Sequence, residues 1–233
     1  MIGILVELLV SWLLLKYLYS QDLKVLGFCT KSKPLFLCLA APMLYLFILY
    51  SGIAYLVENP YKFNQNYTLE DFLRSFYYVL KAVVFEELIF RGALLYILVN
   101  YCGKTKAAFI SATAFGIYHW FSYGIIGQLF EMLKVLFSTG VIGYLFACIW
   151  IKTGKIAFPI ALHFAYNFTV MIIFSKEKNI GMQLLVKTYV VDPARPEGIL
   201  PMLVLVIYYI GFPVLCFIFL RLLKSDHDQR KIF

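Results

Sequence analysis

The stretch ILPMLVLVIYYIGFPVLCFIFL, residues 199–220, runs 22 residues without a charged side chain and stops at Arg221. At about 1.5 Å of rise per helical residue, such a block crosses the roughly 30 Å hydrocarbon core of a bilayer. Working outward, comparable blocks recur along the chain, and seven spans are expected at 2–19, 34–57, 75–100, 106–124, 128–151, 156–175 and 199–223. Composition points the same way: 62% of the residues are hydrophobic and 15% charged, whereas soluble domains run near 45–50% and about 25%. The expected fold is an all-α polytopic transmembrane bundle of about seven spans (six to eight) around an intramembrane polar cavity. The 233 residues are read as one integral membrane domain, 1–233, with no soluble domain, nucleotide-binding motif or internal repeat.

The minor features fit this frame. Residues 1–19 lack a basic n-region and a small-residue cleavage site, so they are read as a retained first span. Trp120 to Gly127, rich in aromatics and glycine, reads as a loop or re-entrant piece. Pro34, Pro159 and the segment 192–198 mark span starts or loops. The five cysteines are far apart and odd in number, so they form neither a disulfide framework nor a metal motif.

The formal net charge is +8, yet the basic residues are scattered between apolar blocks. They therefore speak for membrane orientation and against nucleic acid as a partner. One set of alternate connections holds Lys24, Lys31, Lys33, Lys104, Lys106, Lys152, Lys155, Arg221, Lys224, Arg230 and Lys231, eleven in all. The other holds seven: Lys62, Arg74, Lys134, Lys176, Lys178, Lys187 and Arg195. The positive-inside rule makes the first set cytoplasmic. A multi-pass protein of the cell membrane is expected, with its N-terminus outside and its C-terminus in the cytoplasm.

Ionisable residues inside spans are expensive and usually functional. The third span carries Val84-Phe85-Glu86-Glu87-Leu88-Ile89-Phe90-Arg91-Gly92. Glu87 and Arg91 stand at i and i+4, with the acid N-terminal, and can pair along one helix face. Glu86 points about 100° away and finds no partner one turn along its own helix. A purely structural interhelical network is the bland alternative, but one paired acid would suffice for it. Of the three histidines, His227 sits in the polar tail, while His119 and His163 fall inside spans. Phe115 precedes His119 by one turn, and Asn167 follows His163 by one turn. Two histidines, two glutamates, an arginine and an asparagine on three spans suit water-mediated hydrolysis. Glu86 would act as base, one imidazole would hold the water, and a second imidazole with an amide would face an oxyanion.

These residues form three motifs: EExxxR at Glu86–Arg91, FxxxH at Phe115–His119 and HxxxN at His163–Asn167. The ordered set resembles the CPBP family of intramembrane proteases, which includes the type II CAAX prenyl endopeptidases and bacteriocin-processing and self-immunity (Abi) proteins. The resemblance covers about 75–175, the expected catalytic core, and extends to the lead-in Thr153-Gly154-Lys155-Ile156-Ala157-Phe158-Pro159 before the third motif. It implies a bundle of about eight helices, one more than the spans counted. It implies that Glu86 and His119 activate water, that His163 and Asn167 stabilise the oxyanion, and that Glu87, Arg91 and Phe115 support the site. It implies a glutamate-dependent hydrolase without a cofactor. The alternative is zinc, held by Glu86, His119 and His163, a reasonable two-histidine, one-carboxylate set. The expected partners are membrane lipids and a membrane-associated peptide or protein substrate. Two other functions stay open: a non-catalytic immunity or binding protein of the same fold, and a transporter using these groups as a proton relay. The latter has no visible inverted repeat in its favour.

Overall fold

The computed structural model describes residues 2–174 and 181–225. Lys176, Lys178, Asp226, His227, Asp228, Arg230 and Lys231, which entered the charge and histidine arguments, lie outside the described residues. The architecture is all-α. Its helices are α1 (Ile2–Tyr19), α2 (Ser32–Leu56), α3 (Leu69–Arg91), α4 (Ala93–Cys102), α5 (Lys104–Ser122), α6 (Leu129–Thr153), α7 (Ala157–Phe168) and α8 (Ile199–Leu222). A short ribbon pairs β1 (Tyr61–Phe63) antiparallel with β2 (Leu185–Lys187). Four helices, α1, α2, α6 and α8, are each long and apolar enough to cross a membrane, and the protein is a multi-pass membrane protein.

Every expected span appears as helix, and the eighth helix arises inside the third span. The chain breaks at Gly92, between α3 and α4, where a Cβ would run into the carbonyl oxygen of Leu88. Only glycine admits that backbone path. The start of α3 also falls earlier than the hydropathy suggested. Thr68 and Asp71 form a reciprocal cap: the Asp71 amide donates to Thr68 Oγ1 (3.2 Å) and the Thr68 amide to Asp71 Oδ2 (3.0 Å). The Thr68 hydroxyl, which donates to Asp71 Oδ2 at 2.7 Å, and then the Thr68 amide hold the Asp71 carboxyl below the usual carboxylate range. The stretch 120–127 resolves into the end of α5 and a turn in which Gly124 and Gly127 take positive φ.

The chain forms two compact units: Met1–Leu35, Val84–Ile160 and Pro213–Phe233 make the first, Phe36–Val83 and Ala161–Phe212 the second. It passes from one to the other within α2, α3, α7 and α8.

In the first unit, Leu15, Leu88, Leu95, Tyr96, Trp150 and Ile156 build one buried cluster. α5 lies closely along α6 because Gly116 has no side chain; a Cβ there would sit 2.6 Å from Leu136 Cδ1. The connection after α1 locks onto the one after α6. Trp150 Nε1 donates to Leu26 O (3.3 Å), and the Ile156 amide donates to the same oxygen (2.9 Å). Lys152 Nζ donates to the last carbonyls of α8, Leu220 O at 2.7 Å and Arg221 O at 3.2 Å, a favourable place for a cation. Lys24, Lys152, Lys155 and Arg221 thus belong to connections gathered at one end of this unit.

The second unit is aromatic at its centre. Tyr50 stacks on Phe174 (centroids 5.0 Å apart), and Phe76 of α3 meets Phe164 of α7 edge-on at 5.4 Å. Buried Asn59 ties down the ribbon by donating to Asp192 Oδ1 (2.8 Å) and Tyr189 O (3.0 Å).

Candidate active site

The last turn of α3 supplies the acidic and basic groups of the first unit. Arg91 Nη1 lies 3.3 Å from Glu87 Oε1, and both side chains are completely buried. The guanidinium is also stacked among rings: its carbon is 4.3 Å from the Phe115 centroid and 5.4 Å from that of Phe146. A planar, weakly hydrated cation suits such a place. Its Nη2 donates to Gly143 O at 3.2 Å. Gly143 is needed there, since a Cβ would stand 2.9 Å from Phe115 Cδ1 and 3.3 Å from Arg91 Nη2. Ser111 Oγ donates to Phe90 O at 2.8 Å and pins α5 to α3. The expected Glu87–Arg91 pair therefore exists, fixed from α3, α5 and α6 together.

Phe115 carries that fixation to His119. The two rings are 4.5 Å apart, edge to face, and His119 Nδ1 lies 2.8 Å from Phe115 O. A carbonyl oxygen only accepts, so Nδ1 bears the hydrogen and the neutral imidazole presents Nε2 as an acceptor. His119 is 7% exposed and is also flanked by Tyr118 and Tyr123, with centroids 5.4 Å and 5.1 Å away.

Glu86 is half-buried and interacts electrostatically with both Arg91 and Tyr123. Neither is a neighbour one turn away, which is all that helix spacing counts: Arg91 follows five residues on, and Tyr123 belongs to the turn after α5. Tyr123 stands four residues beyond His119, so the spacing that linked Phe115 to His119 had the means to find it. Gly143 left a weaker signal, a glycine inside an apolar helix.

In the second unit, His163 and Asn167 are neighbours on α7, as expected. Asn167 Nδ2 lies 3.2 Å from His163 Nε2. The amide donates, so Nε2 accepts and Nδ1 carries the imidazole hydrogen. His163 is 8% exposed and Asn167 half-buried. Beyond Asn167 the helix loosens into a π-helical stretch, Thr169–Ile173, a distortion frequent at functional sites. Of the three residues considered as zinc ligands, Glu86 and His119 belong to the first unit and His163 to the second. Among the described residues, no group of three His, Cys, Asp or Glu side chains is arranged to hold a metal ion.

Residues 68–169 match the family model described as Rce1-like, type II CAAX prenyl endopeptidase Rce1-like. No curated protein and no solved structure matches the chain. The matched segment opens at the Thr68 cap of α3, closes just past α7, and holds all three motifs. Over this part of the chain, less than half of its length, the protein is similar to the CPBP/CAAX protease family, and the match supports a CAAX-type intramembrane endopeptidase at the family level.

Proposed function

We propose that this protein is a glutamate-dependent, metal-free endopeptidase that hydrolyses peptide bonds of membrane-associated peptides or proteins. Glu86 accepts a proton from water while His119 Nε2 accepts a hydrogen bond from the same water and holds it. The water oxygen attacks the carbonyl carbon, and the carbonyl oxygen becomes an oxyanion. Asn167 has two amide hydrogens: one is directed to His163 Nε2, and the second is available for the oxyanion. His163 orients that amide by accepting from it at Nε2. Collapse of the intermediate breaks the C–N bond, and the proton held by Glu86 passes to the leaving amine. Glu87, Arg91 and Phe115 keep the Glu86 turn and the His119 ring in place.

The observation that carries this reading is the His119–Phe115 bond, which puts the hydrogen on Nδ1 and so makes Nε2 the accepting nitrogen. The zinc alternative, with Glu86, His119 and His163 as ligands, is disfavoured because Asn167 already occupies the Nε2 lone pair of His163. Lipids are the surrounding partner, and the end of the molecule carrying Lys24, Lys152 and Lys155 faces the cytoplasm. The test is turnover of a membrane-anchored peptide by wild-type protein and by Glu86→Gln.

A further inference from the structure

A groove on the first unit takes no part in the catalytic scheme. Its walls are Phe109 and Thr113 of α5, Leu136, Gly140 and Tyr144 of α6, and Phe217 near the end of α8. The space measures about 660 Å³, inside the roughly 300–1,000 Å³ range of small-molecule sites. Phe109 and Thr113 are exposed, whereas Phe115 and His119 on the same helix are buried. The groove therefore lies outside the candidate active site. Its depth owes much to Gly140, where a Cβ would meet only the Ala112 carbonyl oxygen, at 3.7 Å.

The groove has an apolar stem and a basic end. From Leu136 to Tyr144, α6 rises roughly 12 Å, close to one leaflet of a hydrocarbon core about 30 Å thick. At the Tyr144 end, the Phe109 ring packs 4.9 Å from that of Tyr144. Lys106 stands one turn before Phe109 on α5. On α8, the Arg221 guanidinium lies 5.0 Å over the ring of Phe217, one turn away. Lys152, two turns beyond Tyr144 on α6, reaches the Leu220 and Arg221 carbonyls and so brings a third cation to the same end. Among the described residues, no carboxylate pairs with Lys106, Lys152 or Arg221. Apolar walls of leaflet depth match a hydrocarbon chain better than water. Basic residues gathered between membrane helices match an anionic headgroup.

We propose that this groove seats one acyl chain of an anionic phospholipid, with the phosphate held at Arg221 and Lys106. A zwitterionic lipid would fill the stem equally but bring no net counter-charge to the cations. Selectivity therefore resides in the headgroup and occupancy in the stem. The site does not depend on the hydrolytic reading.

The test is native mass spectrometry of the full-length protein, delipidated in detergent and titrated with dioleoylphosphatidylglycerol or dioleoylphosphatidylcholine. Wild-type protein should retain one phosphatidylglycerol, with an affinity about tenfold above that for phosphatidylcholine. Arg221→Gln should weaken phosphatidylglycerol about fivefold, the effect of one interfacial charge, and leave phosphatidylcholine unchanged. Gly140→Leu raises helix propensity and projects a side chain into the stem. It should weaken both lipids about tenfold or more, since several buried methylenes are displaced. Thr113→Phe fills the stem from the α5 side and should do the same, so a folding defect in one variant leaves the other to decide. Arg74→Gln is the control: Arg74 pairs with Glu70 on α3 at 2.7 Å, and this variant should bind as wild type. Equal affinity of wild-type protein for the two lipids overturns the proposal, and so does wild-type binding by the folded stem-filling variants. A mass of two chains that persists when lipid is added would give the groove to a second copy of the protein and overturn it too.

Discussion

His119 Nδ1 sits 2.8 Å from the carbonyl oxygen of Phe115, one turn back on its own helix. That contact sets the imidazole in one tautomer and leaves Nε2 to receive a proton or a water hydrogen. The second nitrogen is what distinguishes a water-holding histidine from one that only fills space. His119→Ala should therefore lower turnover about 10²–10⁴-fold while the protein stays folded. Initial rates on a membrane-anchored peptide check this, and wild-type rates would remove His119 from the reaction.

Glu87 and Glu86 are adjacent in sequence and should separate cleanly in effect. Glu87 is wholly buried against Arg91, so Glu87→Gln strips a buried cation of its nearest counter-charge. Breaking such a pair from one side costs about 3–5 kcal/mol. Thermal unfolding in detergent should show a large loss of stability for Glu87→Gln and none for Glu86→Gln. The reverse order would contradict the division of labour between the two carboxylates.

Orientation can be read on the native chain. Cys29 is exposed and lies in the connection that packs against the Lys152–Ile156 segment, whereas Cys38 and Cys216 are buried. A membrane-impermeant thiol reagent should label Cys29 in inverted vesicles and leave it unlabelled in intact cells. Labelling from outside would reverse the topology.

Metal removal tests the choice of mechanism. Purified protein should carry substoichiometric zinc and keep its turnover in a strong chelator. Stoichiometric zinc that is lost and restored together with activity would favour Glu86, His119 and His163 as ligands.

Much of the fold was legible in the sequence because a bilayer imposes simple rules. Uncharged blocks such as 199–220 must become helices, and the seven spans are all found as helix. The one-turn pairs were equally legible, since Glu87–Arg91, Phe115–His119 and His163–Asn167 depend only on helical periodicity. What escaped were features set by backbone geometry and tertiary approach. The break at Gly92 follows a backbone path on which any Cβ would strike the Leu88 carbonyl, a restriction hydropathy cannot register. The Gly143 carbonyl on Arg91 and the approach of Tyr123 to Glu86 depend on α5 and α6 closing around the end of α3. The packing of Tyr61, Tyr166 and Tyr208 against buried Tyr50 and Phe174 was hidden because these tyrosines are spread over 159 positions of chain and look like ordinary interfacial aromatics.

The central claim is that Glu86 is the general base. Glu86→Gln preserves size and hydrogen bonding and removes only the ability to take the proton from water. The direct measurement is single-turnover cleavage of a membrane-anchored peptide by this variant, with thermal stability determined beside it. The expected result is a protein as stable as wild type that cleaves about 10²–10⁴-fold more slowly. Wild-type cleavage by folded Glu86→Gln would contradict the claim, whatever the other variants did.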